Sequence, residues 1–370
     1  MIKRLTYHNI ALAIFIFINV AFCIRYAIRI SYSMAILSPL TYIVIAFFVI
    51  AFSNKKQLSL KWIFSIGIIW LCACTTLLHF IPLESIRVDR IEMIELFWDA
   101  ALNGEYPYNP KGTFNGNHPG PMPIYFILCY PFYLIKQYAV IPILSLIVWV
   151  LHTYKTNKAN STILTLLIIT SPACYWEILC RSTIIFNTII FLIWFVSLSK
   201  FKTFTLKQIC TSAIVGGLVF STRSTFAIPI IAFGVYSLRY NSVRNTILWC
   251  VILFFTFIVS HLPLFAYGID NVMNLNPIWL QSTFFIPTEY MVVLLLLFVF
   301  FASKCKNFNQ INFGCGIFLF STALVYIIHY IYTTSIEHSI FFGCDLSYFL
   351  FSAPFLLLSL TPKVSHKYAT

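Results

Sequence analysis

Apolar residues fall into long runs separated by short polar turns, at 8–24, 35–53, 62–80, 138–153, 161–176, 183–199, 208–222, 225–238, 245–262, 287–303, 311–331 and 345–362. A helix needs about 20 apolar residues to cross the hydrocarbon core; some runs reach that length and several fall short. The pattern predicts an all-α fold, a polytopic transmembrane bundle of about 12 spans (11–13), organised as a single domain over residues 1–370. A further run, Met122–Ile135, is shorter and interrupted by Pro123 and Pro131. That length and those breaks suit a re-entrant or interfacial segment better than a crossing.

Composition agrees with the pattern. Mean hydropathy is +0.87 and only 9% of residues are charged, against about a quarter in a soluble domain. The first run follows Lys3 and Arg4, and no small-residue cleavage site follows it, so it reads as a retained helix rather than a signal peptide. The 11 cysteines lie singly in apolar runs, apart from Cys72 and Cys74; no metal-ligand spacing or disulfide framework emerges. A net charge of +13 would suggest nucleic acid in a soluble protein. Here the positive-inside rule explains it, and nucleic acid is not expected as a partner.

The charges choose the topology. With the N-terminus cytoplasmic, the cytoplasmic connections hold Lys3 and Arg4; Lys55, Lys56 and Lys61; Lys155 and Lys158; Lys200, Lys202 and Lys207; Arg239 and Arg244; Lys304 and Lys306; and Lys363 and Lys367. That set is 16 of the 24 basic residues, whereas all 11 acids fall on the other face or at its border. Were 122–135 a full crossing, every later lysine cluster would move outside, against the rule. Both termini are therefore expected in the cytoplasm, and ionisable groups outside the basic set become candidates for chemistry at the outer face.

Three outer segments are long enough to build a site, at 81–137, 263–286 and 332–344. In the first, Ile91, Ile94, Trp98, Ala101 and Leu102 recur at helical spacing, with Gly104 as a stop. The spacing predicts an amphipathic surface helix, apolar side down, with Asp89, Glu92 and Asp99 turned away from the stripe. The prolines and glycines from Pro107 to Pro123 predict a shaped loop after it.

An outer-face Asp, a surface helix ending in "NGEYPY" and then "HPGPMPIYF" resemble the first outer loop of the GT-C superfamily of polytopic membrane glycosyltransferases. Their pattern is an Asp, an aromatic-rich helix, a G-x-x-PY turn and a Tyr-Pro-Pro-like turn. This chain has Asp89, then Gly104, Pro107 and Tyr108, then His118, Pro119, Pro121 and Pro123. It departs by flanking the Asp with Val88 and Arg90 and by carrying His-Pro-Gly-Pro. "SPACYWEILCRS", "STRSTFAIP", "NPIWLQSTFFIP" and "CDLSYFLFSAPF" are similar to segments of bacterial members tied to surface-polysaccharide assembly, so the resemblance covers most of the chain. It implies a glycosyltransferase of the bacterial inner membrane that takes a sugar from a polyprenyl-phosphate donor to a glycan or lipid acceptor.

Such a transfer needs a base for the acceptor hydroxyl and cationic donors for the departing phosphate. Asp89, just after the third run, is the expected base, with Asp99 as rival; the bland alternative for Asp89 is an ion pair with Arg87 or Arg90 on a solvated face. Arg223 and Arg181 are lone guanidiniums in apolar sequence, where a cation faces a cavity or a partner, and either suits a phosphate. Arg181 has a local alternative in Glu177 at i, i+4. His118, Tyr108, Glu177, His338 and Asp345 complete the substrate-binding candidates, although a loop histidine among prolines, as His118 is, more often caps a turn. No metal-ligand spacing is evident, although some members of the superfamily use a divalent metal. The readings left beside this one are an O-antigen-type polymerase, whose major loop falls late in the chain, and a lipid-linked oligosaccharide flippase or transporter, for which no internal repeat is seen.

Overall fold

The computed structural model describes residues 2–86, 88–113, 115–156, 158–200 and 205–360. Arg87, Lys202, Lys363, Lys367 and the end of the twelfth apolar run lie outside the described residues. Among those described there is no strand, and each apolar run becomes a helix or a broken pair of helices. In chain order these are α1 (Ile2–Ala27), α2 (Tyr32–Lys55), α3 (Leu60–Phe80), α4 (Arg90–Leu102), α5 (Pro123–Ile135), α6 (Val140–Thr156), α7 (Lys158–Ile169), α8 (Pro172–Leu179) and α9 (Ile184–Leu198). There follow α10 (Leu206–Phe220), α11 (Ala227–Ser237), α12 (Val243–Val259), α13 (Ile269–Asn274), α14 (Pro277–Phe285), α15 (Thr288–Lys304), α16 (Phe308–Thr333), the single turn α17 (Ile336–His338) and α18 (Ala353–Ser359).

Five helices are long and apolar enough to cross a membrane alone, or up to seven if each of two bent pairs is one span. The bends have local causes. Between α7 and α8 the axis turns by 57°, where Ser171 caps α8 and Pro172 occupies its first turn. A proline is tolerated there because that N–H has no partner within the helix. Asn19 of α1, fully buried, accepts from the Ser171 hydroxyl at 2.6 Å and from the Ala173 N–H at 3.2 Å, so the broken backbone is satisfied inside the bundle. α5 and α6 meet at 119°, where Lys136 adopts a left-handed conformation with φ of 53°. The N–H groups of Met122 and Ile124 donate to the carbonyls of Thr222 and Ser221. These bonds tie the start of α5 to the end of α10.

The chain passes repeatedly between two ends of the bundle. At one end Gln57 donates to the Lys158 carbonyl and the Leu58 N–H to Thr162, Arg239 donates to the carbonyls of Ser303 and Cys305, and the Tyr240 hydroxyl donates to the Lys306 carbonyl. These are the turns that hold the lysines. At the other end α4, α5 and the 262–275 segment build a second apolar cluster separate from the main core. There Phe97 and Phe126 stack at 3.7 Å and the Tyr106 hydroxyl donates to the Leu275 carbonyl at 2.7 Å. The first two outer segments expected from the sequence are thus joined to each other.

On α4 the buried positions are Ile91, Ile94, Phe97 and Ala100, with Leu102 60% exposed, which corrects the expected stripe through Trp98, Ala101 and Leu102. The helix packs against α5 and not only on a flat apolar surface, so Phe97 points inward. Trp98 moves to the edge, where its indole N–H donates to the Phe126 carbonyl at 3.0 Å. The helix does end at Gly104, with φ of 76°.

Candidate functional site

A cavity of about 440 Å3 opens at the end away from the lysines, where the C-terminus of α1, the start of α4, the 115 turn, α8 and the 343–345 segment converge. Its charged lining consists of Arg25, Arg29, Asp89, Arg90 and Asp345. Tyr26 and Trp176 also line it and stack at 3.5 Å, giving the cavity one flat aromatic wall.

Asp89 immediately precedes α4 but does not cap it with its side chain. Its carboxylate turns toward the loop instead, and Oδ2 accepts from Asn115 Nδ2 at 3.2 Å and Asn117 Nδ2 at 3.1 Å. Both donors are neutral amides, so they orient the group without removing its charge. No hydrogen bond to Oδ1 is made among the described residues. The residue is only 8% exposed, so it is not a solvated helix-face charge.

Arg90, the next residue, forms an ion pair with Asp345 and thereby ties the start of α4 to the start of the last apolar run. Asp345 also accepts the Ser347 N–H at 3.0 Å, which fixes its carboxylate at the head of the 346–351 turn. Burial works against the charge on Arg90, but the carboxylates of Asp345 and Glu177 outweigh it and hold the guanidinium above its ordinary pKa.

Arg25 and Arg29 are one helical turn apart at the end of α1, with the Arg29 guanidinium 5.2 Å and that of Arg25 5.7 Å from the centre of the Tyr26 ring between them. Arg25 is 8% exposed, and its Nε has no hydrogen-bond partner among the described residues. Burial, and then the like charge of Arg25, lower the pKa of Arg29. Two cations held this close favour an anion between them. Sequence reasoning passed over both arginines; the signal was an Arg pair four residues apart at the end of an apolar run, on the face opposite the lysines.

The expected site residues divide into two groups. Asp89 and Asp345 line the cavity, and two more lie behind it. Glu177 on α8 is fully buried, with both carboxylate oxygens lacking a hydrogen bond of standard geometry among the described residues, near Ser182, Ser347 and Arg90. It makes no ion pair with Arg181 among the described residues. Arg223 places its guanidinium 5.4 Å from the Tyr125 ring, within electrostatic reach of Arg90 and Asp345; burial lowers its pKa.

The other expected residues lie elsewhere. Asp99 is exposed and accepts from the Tyr133 hydroxyl at 2.5 Å, on the part of α4 where Glu95 pairs with Lys136. Arg181 has φ of 51° and donates to the Leu179 carbonyl at 3.3 Å, next to Glu84 rather than the cavity. Tyr108 is fully buried and donates to the Pro121 carbonyl at 2.8 Å, and His118 Nδ1 lies 2.9 Å from the Tyr108 carbonyl. Both shape the proline-rich loop that carries Asn115 and Asn117. His338 is exposed, with Nδ1 3.3 Å from the Tyr330 hydroxyl. Among the described residues no group of three or more His, Cys, Asp or Glu comes together to hold a metal.

The fold and site together define an all-helical, membrane-type protein with a charged cavity at one end of its bundle. No family model, curated protein or solved structure matches the chain.

Proposed function

We propose that this protein is a membrane glycosyltransferase of the GT-C type, moving a sugar from a polyprenyl-phosphate donor to a lipid-linked glycan or other acceptor. It would act at the non-cytoplasmic face of the bacterial inner membrane. One observation carries the reading: the cavity at the end opposite the basic turns is lined both by Asp89, whose Oδ1 accepts no hydrogen bond among the described residues, and by Arg25, Arg29 and Arg90. In this reading Asp89 Oδ1 takes the proton of the acceptor hydroxyl as its oxygen bonds to the anomeric carbon. The bond from that carbon to the phosphate oxygen breaks, and the electron pair leaves with the lipid phosphate. Arg25, Arg29 and Arg90 then face the charge that accumulates on the phosphate, where planar forks are worth most. The Tyr26–Trp176 wall gives the sugar or the first isoprene unit a flat apolar surface.

The same proposal keeps the topology of about 12 crossings with both termini cytoplasmic. It is supported by the way successive apolar helices run from the lysine-bearing end to the cavity end and back, the short α9, α10 and α11 included. Those helices fall below the usual length for a span; α9 and α11 are largely enclosed by the bundle, whereas α10 keeps an exposed apolar face at Ile214, Val215 and Leu218. The test is to incubate the purified full-length protein with a panel of polyprenyl-phosphate sugars and measure release of the lipid phosphate. Release from at least one donor, lost in Asp89→Asn, is expected; no release from any donor by folded protein would end the proposal. Labelling of a cysteine introduced at Lys111 from the cytoplasmic side alone would equally overturn it.

A further inference from the structure

A second cavity, of about 350 Å3, lies at the lysine-bearing end, where the C-termini of α9 and α11 meet the turn between α15 and α16. Phe233, Tyr236, Tyr240, Lys306, Asn307 and Phe308 contribute to its wall. The backbone of Lys306 is held on both sides: its N–H donates to Gln310 Oε1 at 2.6 Å, and its carbonyl accepts the Tyr240 hydroxyl at 2.7 Å. Its exposed side chain makes no ion pair or hydrogen bond among the described residues. Arg239, beside Tyr240, closes the end of α15 by donating to the Ser303 and Cys305 carbonyls and adds a second fixed positive charge.

No carboxylate offsets these cations on the lining segments. The one acid on α15, Glu289, stands in the first turn at the other end of that helix. Along α15, the exposed side chains of Val293, Leu296, Leu297 and Phe300 form an apolar stripe that ends within two turns of Lys306. A cationic, aromatic-walled cavity just beyond the end of a helix that carries an apolar outer stripe has the polarity of an amphiphile, charged head in and tails along the helix.

We propose that this cavity binds the phosphodiester headgroup of an anionic glycerophospholipid from the leaflet at the lysine-bearing end. The phosphate would meet Lys306 at the cavity mouth, with the acyl chains lying against α15. The aromatic rings supply amphipathic walls suited to the boundary between headgroup and hydrocarbon. The inference involves none of the residues of the first cavity and stands or falls independently of the transfer reaction.

Native mass spectrometry of the full-length protein, released from detergent in the presence of phosphatidylglycerol or phosphatidylcholine, tests it. Phosphatidylglycerol should be retained in preference to phosphatidylcholine at equal concentration, and inorganic phosphate at that concentration should not displace it. Lys306→Ala should weaken retention about fivefold, the contribution of one basic residue near an anionic headgroup, while Lys111→Ala at the other end changes nothing. The alanine variant keeps the backbone bonds of residue 306, and Lys306→Gln gives the same reading should folded protein be lost. Equal retention of the two lipids, or unchanged retention in both Lys306 variants, overturns the proposal. Displacement by inorganic phosphate would also overturn it, assigning the cavity to a soluble anion.

Discussion

Asp89 and Asp99 offer the sharpest comparison, because one carboxylate immediately precedes α4 and the other lies near its end, in opposite circumstances. They are separated by ten residues, about 15 Å along a helix axis. In Asp89→Asn the side-chain oxygen can still accept from the Asn115 and Asn117 amides that now meet Oδ2, so the loop need not move. What is lost is the negative charge and the basic oxygen that accepts no hydrogen bond among the described residues. A positioned general base contributes roughly 10²–10⁴-fold, or about 3–5 kcal/mol of barrier, and the variant's kcat should fall by that factor. Donor KM should change little, since the phosphate is held by Arg25, Arg29 and Arg90 in this reading.

Asp99→Asn, in contrast, exchanges an exposed carboxylate that accepts from Tyr133 for an amide that can accept the same bond, and transfer should stay within about twofold of the parent. The assay is lipid-phosphate release by each purified variant, normalised to folded protein by thermal unfolding in detergent. Full activity in Asp89→Asn together with collapse in Asp99→Asn would refute the argument, because the reacting groups would then lie at the far end of α4.

Three further outcomes follow from the geometry. Arg25→Ala, at a guanidinium with its Nε unpartnered, should raise donor KM by roughly 10- to 100-fold, the range for one charged hydrogen bond, as titration with donor would measure. Asp345→Asn removes the carboxylate paired with Arg90 but leaves Glu177 nearby. Its stability should fall by about 1–3 kcal/mol, less than for a fully uncompensated buried charge, read as a lower midpoint in detergent unfolding. Gly217→Ala puts a Cβ 2.5 Å from the Leu253 carbonyl and 2.7 Å from Thr256 Cβ, so α10 and α12 must separate. It should cost about 1–3 kcal/mol, while Gly67→Ala, with nothing within 4 Å, should leave the unfolding midpoint unchanged.

The helices were legible because hydrophobic periodicity and run length are local properties. Among the described residues each apolar run became helix, and Gly104 ended α4 as expected, whereas Pro131 lies inside α5 and the bend to α6 falls at Lys136. Facing was less legible: Phe97, not Trp98, points inward because the partner surface is the Phe126 ring, supplied from a segment about thirty residues away. The same limit governed the site. Asp345 pairs with Arg90 across 255 residues, and Arg25 reaches the same cavity as Asp89 from a different run, and nothing local announces either. Arg181 and Arg223 look alike in sequence, yet one turns back to the Leu179 carbonyl through a left-handed backbone while the other lies against Tyr125. Tyr108 and His118, expected to touch substrate, hold the loop that orients Asp89.

The kinds of cation at the two ends bear on function independently of Asp89. The set expected on the cytoplasmic side contains only Arg4, Arg239 and Arg244 as arginines among its 16 basic residues, whereas the remaining eight are Arg25, Arg29, Arg87, Arg90, Arg181 and Arg223 with Lys111 and Lys136. The positive-inside rule accepts either residue and cannot produce this division. Arginine is the costlier choice near a membrane unless its fork is used. Lysine suits the task at the other end, where a compact charge on a flexible stem reaches lipid headgroups from turns that need no fixed geometry. Around the first cavity Arg25, Arg29 and Arg90 are held by ring contacts, an ion pair and partial burial, which restricts the directions in which they can donate. A fixed array of guanidiniums is suited to a planar or tetrahedral oxyanion in a defined place. The segregation of arginine from lysine therefore supports an anionic group bound in one orientation at the cavity end, whichever carboxylate proves to move the proton.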